Sequence, residues 1–222
     1  TANNLANMTT AGFKADRLVM KPLSERPAAA ASTPAEIAFV DAWRLQRDMT
    51  AGPIERTGGA LDAAIDGDGF FMVQTPQGPA FTRDGRFVLD AGGQLTTRQG
   101  HPVLSGGGPL TLDPAGGEVA IAADGSITQE GQSVGRLDVM AFDQPAALEK
   151  LGDNFWRPVD QAPRAAEAYR VVGGAVEGSN VNAISEITQM IEISRAYESV
   201  SKMIGQSDEL RAASIDKLAR VG

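Results

Sequence analysis

The sequence predicts a mainly β protein with α elements: a small central β domain, sandwich or barrel-like, with a long C-terminal α-helix and a truncated N-terminal helix. Three observations carry that expectation. Glycine (25) and proline (12) are plentiful while aromatics make up only 5%, a mix suited to short strands joined by tight turns. Over residues 61–165, short apolar runs alternate with Gly, Asp, Asn and Pro at a spacing of roughly 8–12 residues, as in small sandwiches and barrels. From Val181 to Leu218 there is no proline and Gly205 is the only glycine, so the stretch reads as one helix on the order of 55 Å long.

Taken in order, residues 1–16 are Asn-rich, with Leu5 and Met8 at helical spacing, and Thr9-Thr10-Ala11-Gly12 forms a stop in which Gly12 takes the left-handed conformation. This segment reads as the tail of a helix that begins upstream of Thr1. Residues 17–60 read as an irregular linker, punctuated by Pro22, Pro27, Pro34 and Pro53, with short extended pieces at Ile37–Val40 and Ala42–Leu45. In the central domain, Phe70–Val73, Phe87–Leu89, Val119–Ile121 and Leu137–Phe142 are the expected strands. The Asp-Gly pairs at 68–69, 84–85 and 124–125 supply turns, because both residues tolerate positive φ. A return segment, 166–178, leads to the helix at 179–222, with Ser179 or Asn180 as its N-cap, Asn182 as a further capping residue, and Glu186 in its opening turns.

That helix carries apolar residues on more than one side. Met190, Ile193, Tyr197, Val200 and Ile204 follow 3,4,3,4 spacing and form one stripe, rejoined by Ile215 and Leu218. Ile184, Ile187 and Ile191 form a second patch about a third of a turn away. Two displaced flanks on a helix longer than its domain predict contact with more than one neighbouring helix, with Tyr197 as the leading anchor.

Catalytic and cofactor chemistry leaves little trace. The absence of cysteine excludes disulfides, thiol catalysis and Cys-based metal sites. His101, the only histidine, sits in a turn context near Ser105 without a nucleophile elbow. Asp66-Gly67-Asp68-Gly69 lacks the closing ligands of a calcium loop, and Gly106-Gly107-Gly108 lacks the Lys-Ser/Thr of a phosphate cradle. No metal, cofactor or catalytic residue is expected. A net charge of −8 without a basic run argues against a nucleic-acid partner, and no apolar run is long enough to span a bilayer.

Two terminal signatures remain. Asn3, Asn4, Leu5, Ala6 and Asn7, followed by Gly12-Phe13-Lys14, resemble the N-terminal signature of the bacterial flagellar rod and hook proteins. Glu177-Gly178-Ser179-Asn180-Val181-Asn182, then Met190-Ile191 and Arg195-Ala196-Tyr197-Glu198, resemble that family's C-terminal signature. Between them, Leu61–Phe71 and Phe81-Thr82-Arg83-Asp84-Gly85 look like the start of its middle domain. Gly100–Leu104 and Ile121–Gly125 are most similar to its proximal rod branch. The resemblance implies a structural, non-enzymatic subunit of the basal-body rod in the periplasm. Such a subunit is exported through the flagellar export apparatus without a cleaved signal peptide, and packs through its terminal segments against copies of itself and adjacent proximal and distal rod proteins. It also implies a further N-terminal helix ahead of Thr1. On this view Gly12 and Phe13 in the first signature, and Ser179, Asn180, Val181, Asn182, Ile184, Ile187, Ile193, Val200 and Ile204 with the second, belong to the assembly interface. A distal rod or hook subunit is the alternative within the family. A periplasmic or extracellular β-domain adhesin or binding module with a helical stalk is the alternative outside it, and a carboxylate-based hydrolase is a remoter one.

Overall fold

The computed structural model describes residues 1–20 and 43–219; the side chains of residues 18–20, 43–45 and 212–219 lie outside the description. The extended piece expected at Ile37–Val40 and the first residue of that at Ala42–Leu45 therefore fall outside the described residues, as do the side chains of Ile215 and Leu218; residues 43–45 are extended. The chain divides into two compact units, residues 7–181 and residues 1–6 with 182–222.

The larger unit is antiparallel β. Its main sheet runs in the order Glu149–Gly152, Phe155–Arg157, Gly78–Thr82, Phe70–Thr75, Val139–Ala141, Arg164–Ala165. Side chains alternate across a strand, so neighbours point to opposite faces, and both faces of this sheet are covered. Phe71, Val73 and Ala80 enter a core with Ile65, Phe87, Leu95, Ile127, Leu137 and Val171. Phe70, Phe81 and Trp156 enter a second core with Phe142 and Leu148. Phe142 meets Phe81 edge-on at 4.8 Å and Phe70 at 5.8 Å, the geometry favoured by the ring quadrupole.

The described strands form no closed barrel, because the main sheet ends at two short edges. Ion pairs flank both edges, Glu149 with Arg157 and Arg164 with Asp143, a device that discourages further strand pairing. Gly69 and Gly125 take positive φ, 135° and 86°, as their turns require, whereas Gly85 does not; a Cβ there would strike the Ala63 carbonyl oxygen.

The β unit reaches well beyond 61–165. Tyr169–Gly173 pairs with Ala63–Gly67, and Ala175–Glu177 pairs with Ile54–Arg56, so the return segment is part of the sheet structure. Asp16–Met20 pairs with Trp43–Arg47 within what reads locally as a linker. These pairings join segments of weak local signal, and partner distance along the chain hides them from a residue-by-residue reading.

The smaller unit contains α1 (Ala2–Ala6) and α2 (Ala183–Ala219). At 1.5 Å per residue, the 37 residues of α2 make a helix about 55 Å long. Asn4 Nδ2 donates to Glu186 Oε1 at 2.9 Å, joining the two helices. No described helix is long and apolar enough to cross a membrane.

Candidate assembly site

The cap of α2 is Asn182. Its Oδ1 accepts the Ser185 N–H at 3.1 Å and its carbonyl accepts the Glu186 N–H, the pattern of an N-cap. Of the three caps the sequence offers, Ser179, Asn180 and Asn182, the helix uses Asn182. Ser179 Oγ instead accepts the Val181 N–H, closing a local turn. Asn180 works inside the β unit: its Oδ1 accepts the Ala15 N–H at 2.8 Å, and its Nδ2 donates to the carbonyls of Asp48 and Thr50.

The N-terminal signature is folded into the same place. Asn7 Oδ1 accepts the Thr10 hydroxyl, and Asn154 Nδ2 donates to the Ala11 carbonyl. Gly12 has a φ of +67°, and a Cβ there would lie 2.5 Å from backbone atoms of Arg83 and Asp84; only glycine permits both the conformation and the approach. The Gly12 N–H donates to the Glu177 carbonyl at 2.8 Å. Phe13 is buried, with the Lys150 ammonium 4.3 Å from its ring centre.

Lys14, the next residue, is buried with Arg83 and Glu177. Lys14 Nζ lies 2.5 Å from Glu177 Oε1 and donates to the Thr50 carbonyl at 2.7 Å. Arg83 Nη1 donates to Glu177 Oε2 at 3.1 Å, and its guanidinium also reaches the carbonyls of Ile65 and Gly67. The Gly52 N–H completes the shell on Glu177 Oε1. Burial is the largest influence on Lys14 and pulls its ammonium below the ordinary lysine range; Glu177 opposes this, and Arg83 adds to it. Lys14, Arg83 and Glu177 were not among the expected site residues. The signal available for them was their place inside the three quoted signatures, Lys14 after Gly12-Phe13, Arg83 after Phe81-Thr82 and Glu177 before Gly178-Ser179.

α2 shows the opposite character. Ile184, Ile187, Ile191, Ile193, Tyr197, Val200 and Ile204 are exposed, Ile184 at 79% and Tyr197 at 74%. Arg195 and Glu198 are exposed as well, Met190 and Val181 are half-buried, and so is Leu5 on α1, where Asn3 and Ala6 are exposed. Met203 and Leu210 are also exposed and flank the Met190–Ile204 stripe, roughly a quarter to a third of a turn from its centre at about 100° per residue and on the opposite flank from Ile184, Ile187 and Ile191. α2 therefore presents apolar side chains around much of its circumference.

Nothing comparable gathers for chemistry. Among the described residues, no group of three or more His, Asp or Glu side chains is placed to hold a metal ion. The His101 ring packs edge-on against Phe155, and Ser105 Oγ accepts the Arg136 N–H. Asp66 pairs with Arg170 at 2.8 Å.

Comparison with known proteins adds two family descriptions and several full-length relatives. "Flagellar hook protein FlgE/F/G D1 domain" matches residues 64–129, the stretch that contains Arg83. "Flagellar basal body rod FlgEFG protein C-terminal" matches residues 172–217, from the strand before Glu177 through most of α2. Flagellar basal-body rod protein FlgF of Caulobacter vibrioides is 40% identical, over 99% of this chain and 91% of that protein. FlgF of Rhizobium meliloti is 36% identical, over 97% and 87% respectively. Flagellar basal-body rod protein FlgG of Buchnera aphidicola subsp. Schizaphis graminum is 36% identical, over 94% and 89%.

Proposed function

The chain belongs to the flagellar basal-body rod protein family and is a structural subunit of that rod, and we propose that it polymerises with neighbouring rod subunits through the apolar faces of α2. The observation that supports this reading is the exposure of eight large apolar side chains between Ile184 and Ile204. Isolated large apolar side chains are common on surfaces, but a continuous set along a helix marks an interaction surface. A helical array of identical subunits would give each flank a neighbour, since head-to-tail contacts that do not close generate filaments. Asn3, Leu5 and Ala6 would join that interface from α1.

Within the family the chain is most like FlgF, with 40% identity against 36% for the FlgG relative. The hook and adhesin alternatives are not favoured by these matches. We read the protein as non-catalytic, without a nucleic-acid partner, located in the periplasmic part of the basal body and delivered by the flagellar export apparatus without a cleaved signal peptide. The family and the net charge of −8 support that reading.

The test is Tyr197→Asp or Ile193→Asp in the full chain, expressed in cells that lack the native copy. A buried charge at such a contact costs several kcal/mol, so swimming should be abolished while the thermal unfolding of the purified variant is unchanged. Normal swimming would refute the α2 interface.

A further inference from the structure

Three segments far apart in sequence meet at one buried point. Lys14 lies on the N-terminal arm of the β unit, Glu177 at the start of its C-terminal arm, and Arg83 just after a central strand. Their side chains are 1%, 0% and 6% exposed, in that order. The arms run side by side, with Gly12 N–H on the Glu177 carbonyl, Asn180 N–H on the Phe13 carbonyl and Ala15 N–H on Asn180 Oδ1.

We propose that Lys14, Arg83 and Glu177 form a clasp that positions both terminal arms for assembly and closes only when the two ends of the folded chain have met. The proposal rests on the assembly reading above and adds positioning residues that touch no partner subunit. Arg83 is its fixed side, held to the carbonyls of Ile65 and Gly67. Lys14 and Glu177, separated by 163 positions, are its closing side. A loop of that length costs entropy to close, so contacts at its neck form only against a completed fold. An apolar plug would hold the arms with less desolvation cost than buried ions. What the ions add is register, because Lys14 takes one carboxylate oxygen of Glu177 and Arg83 takes the other.

The charge count makes the proposal testable. Two cations share one carboxylate, so Glu177→Gln leaves Lys14 and Arg83 buried together without the carboxylate that pairs with both, Asp48 acting on Lys14 without an ion pair. Adding Lys14→Met to that variant removes one of the cations, while Arg83 keeps its two carbonyls. The clasp therefore predicts a rescue, whereas a role limited to filling space predicts that the double variant is no better than the single.

Hydrogen exchange on the full chain reads this directly. In Glu177→Gln, the amides of Gly12, Ala15, Gly52 and Asn180 should exchange about a hundredfold faster, with the Phe70–Thr75 and Gly78–Thr82 ladder within about threefold of wild type. The double variant should regain about tenfold of that protection, and swimming should fall and recover in the same order. Uniform acceleration of both sets of amides, or a double variant worse than the single, would overturn the clasp. Loosened arms with normal swimming would overturn its role in positioning but leave the α2 interface standing, since Tyr197→Asp tests that interface with the clasp intact.

Discussion

The arms of the β unit and helix α2 carry parts of the same two terminal signatures, yet they treat their side chains in opposite ways. At the arms, Gly12, Phe13, Lys14 and Asn180 each have an identified neighbour or partner within the chain. Along α2, Ile184, Tyr197 and Met203 are exposed. Asn180 and Asn182 compress the contrast into two positions: one cross-links loops of the β unit, while the other caps the helix. The two signatures thus contain two kinds of residue, those that hold the subunit's own fold and those exposed on α2, which the proposed assembly would cover. Substitution should separate them, the first kind acting on the stability of the isolated chain and the second on assembly.

The largest effect on the isolated chain should come from Gly12→Ala. A left-handed non-glycine residue and a Cβ placed 2.5 Å from backbone atoms are both penalised, and backbone cannot swing aside as a side chain can. Together they should cost on the order of 3 kcal/mol, seen as a lower denaturation midpoint of the β unit. An unchanged midpoint would mean that the arm is not packed against Arg83 and Asp84, and the contrast between held and free regions would fail at its firmest position.

Gly12 also shows what the sequence made legible. Its left-handed conformation followed from the local pattern, as did the Asp-Gly turns at 68–69 and 124–125, the strands near Phe70, Phe87, Val119 and Val139, and the length of α2, because each depends on residues a few positions apart. The reason Gly12 must be glycine did not follow, since the backbone it would strike belongs to residues 83 and 84. The pairing of Tyr169–Gly173 with Ala63–Gly67 was hidden for the same reason, and so was the junction of Lys14 with Glu177. A lysine after Gly-Phe reads as solvated unless a carboxylate from the far end of the chain is known to be waiting. Ser179 and Asn180 were plausible caps by composition, but Asn180 is bonded to loop carbonyls, which leaves Asn182 to start the helix.

Asn182→Ala should have a smaller and more local effect. Losing the side-chain acceptor for the Ser185 N–H should cost about 1 kcal/mol, confined to the first turn of α2. Amide exchange at Ser185 and Glu186 should rise several-fold with no change in the β-unit midpoint. If the midpoint falls as it does for Gly12→Ala, the start of the helix and the β unit melt together, and the two regions are one cooperative element.

The smallest effect should be the acid response of Asp48, which lies at the edge of the held region. Its Oδ1 accepts the Thr50 hydroxyl at 2.6 Å and the Thr50 N–H at 3.1 Å, and Arg17 sits 3.0 Å from Oδ2. The Thr50 hydroxyl is the largest influence and, with the Thr50 N–H and Arg17, holds the carboxyl below its ordinary range against the opposing effect of burial. A carboxyl depressed in the folded state contributes stability above its unfolded pKa, about 3.9, and loses it as pH falls through the folded value. Thr50 also offers its carbonyl to Lys14 and Asn180, so protonating Asp48 should loosen the loop that supports both arms. Thermal unfolding of wild type and Asp48→Asn should therefore differ at pH 6 and converge as the pH falls below that folded value. Were the difference to stay constant with pH, the Asp48 charge would contribute nothing, and the loop would be held by bonds indifferent to it, those on the Asp48 and Thr50 carbonyls among them.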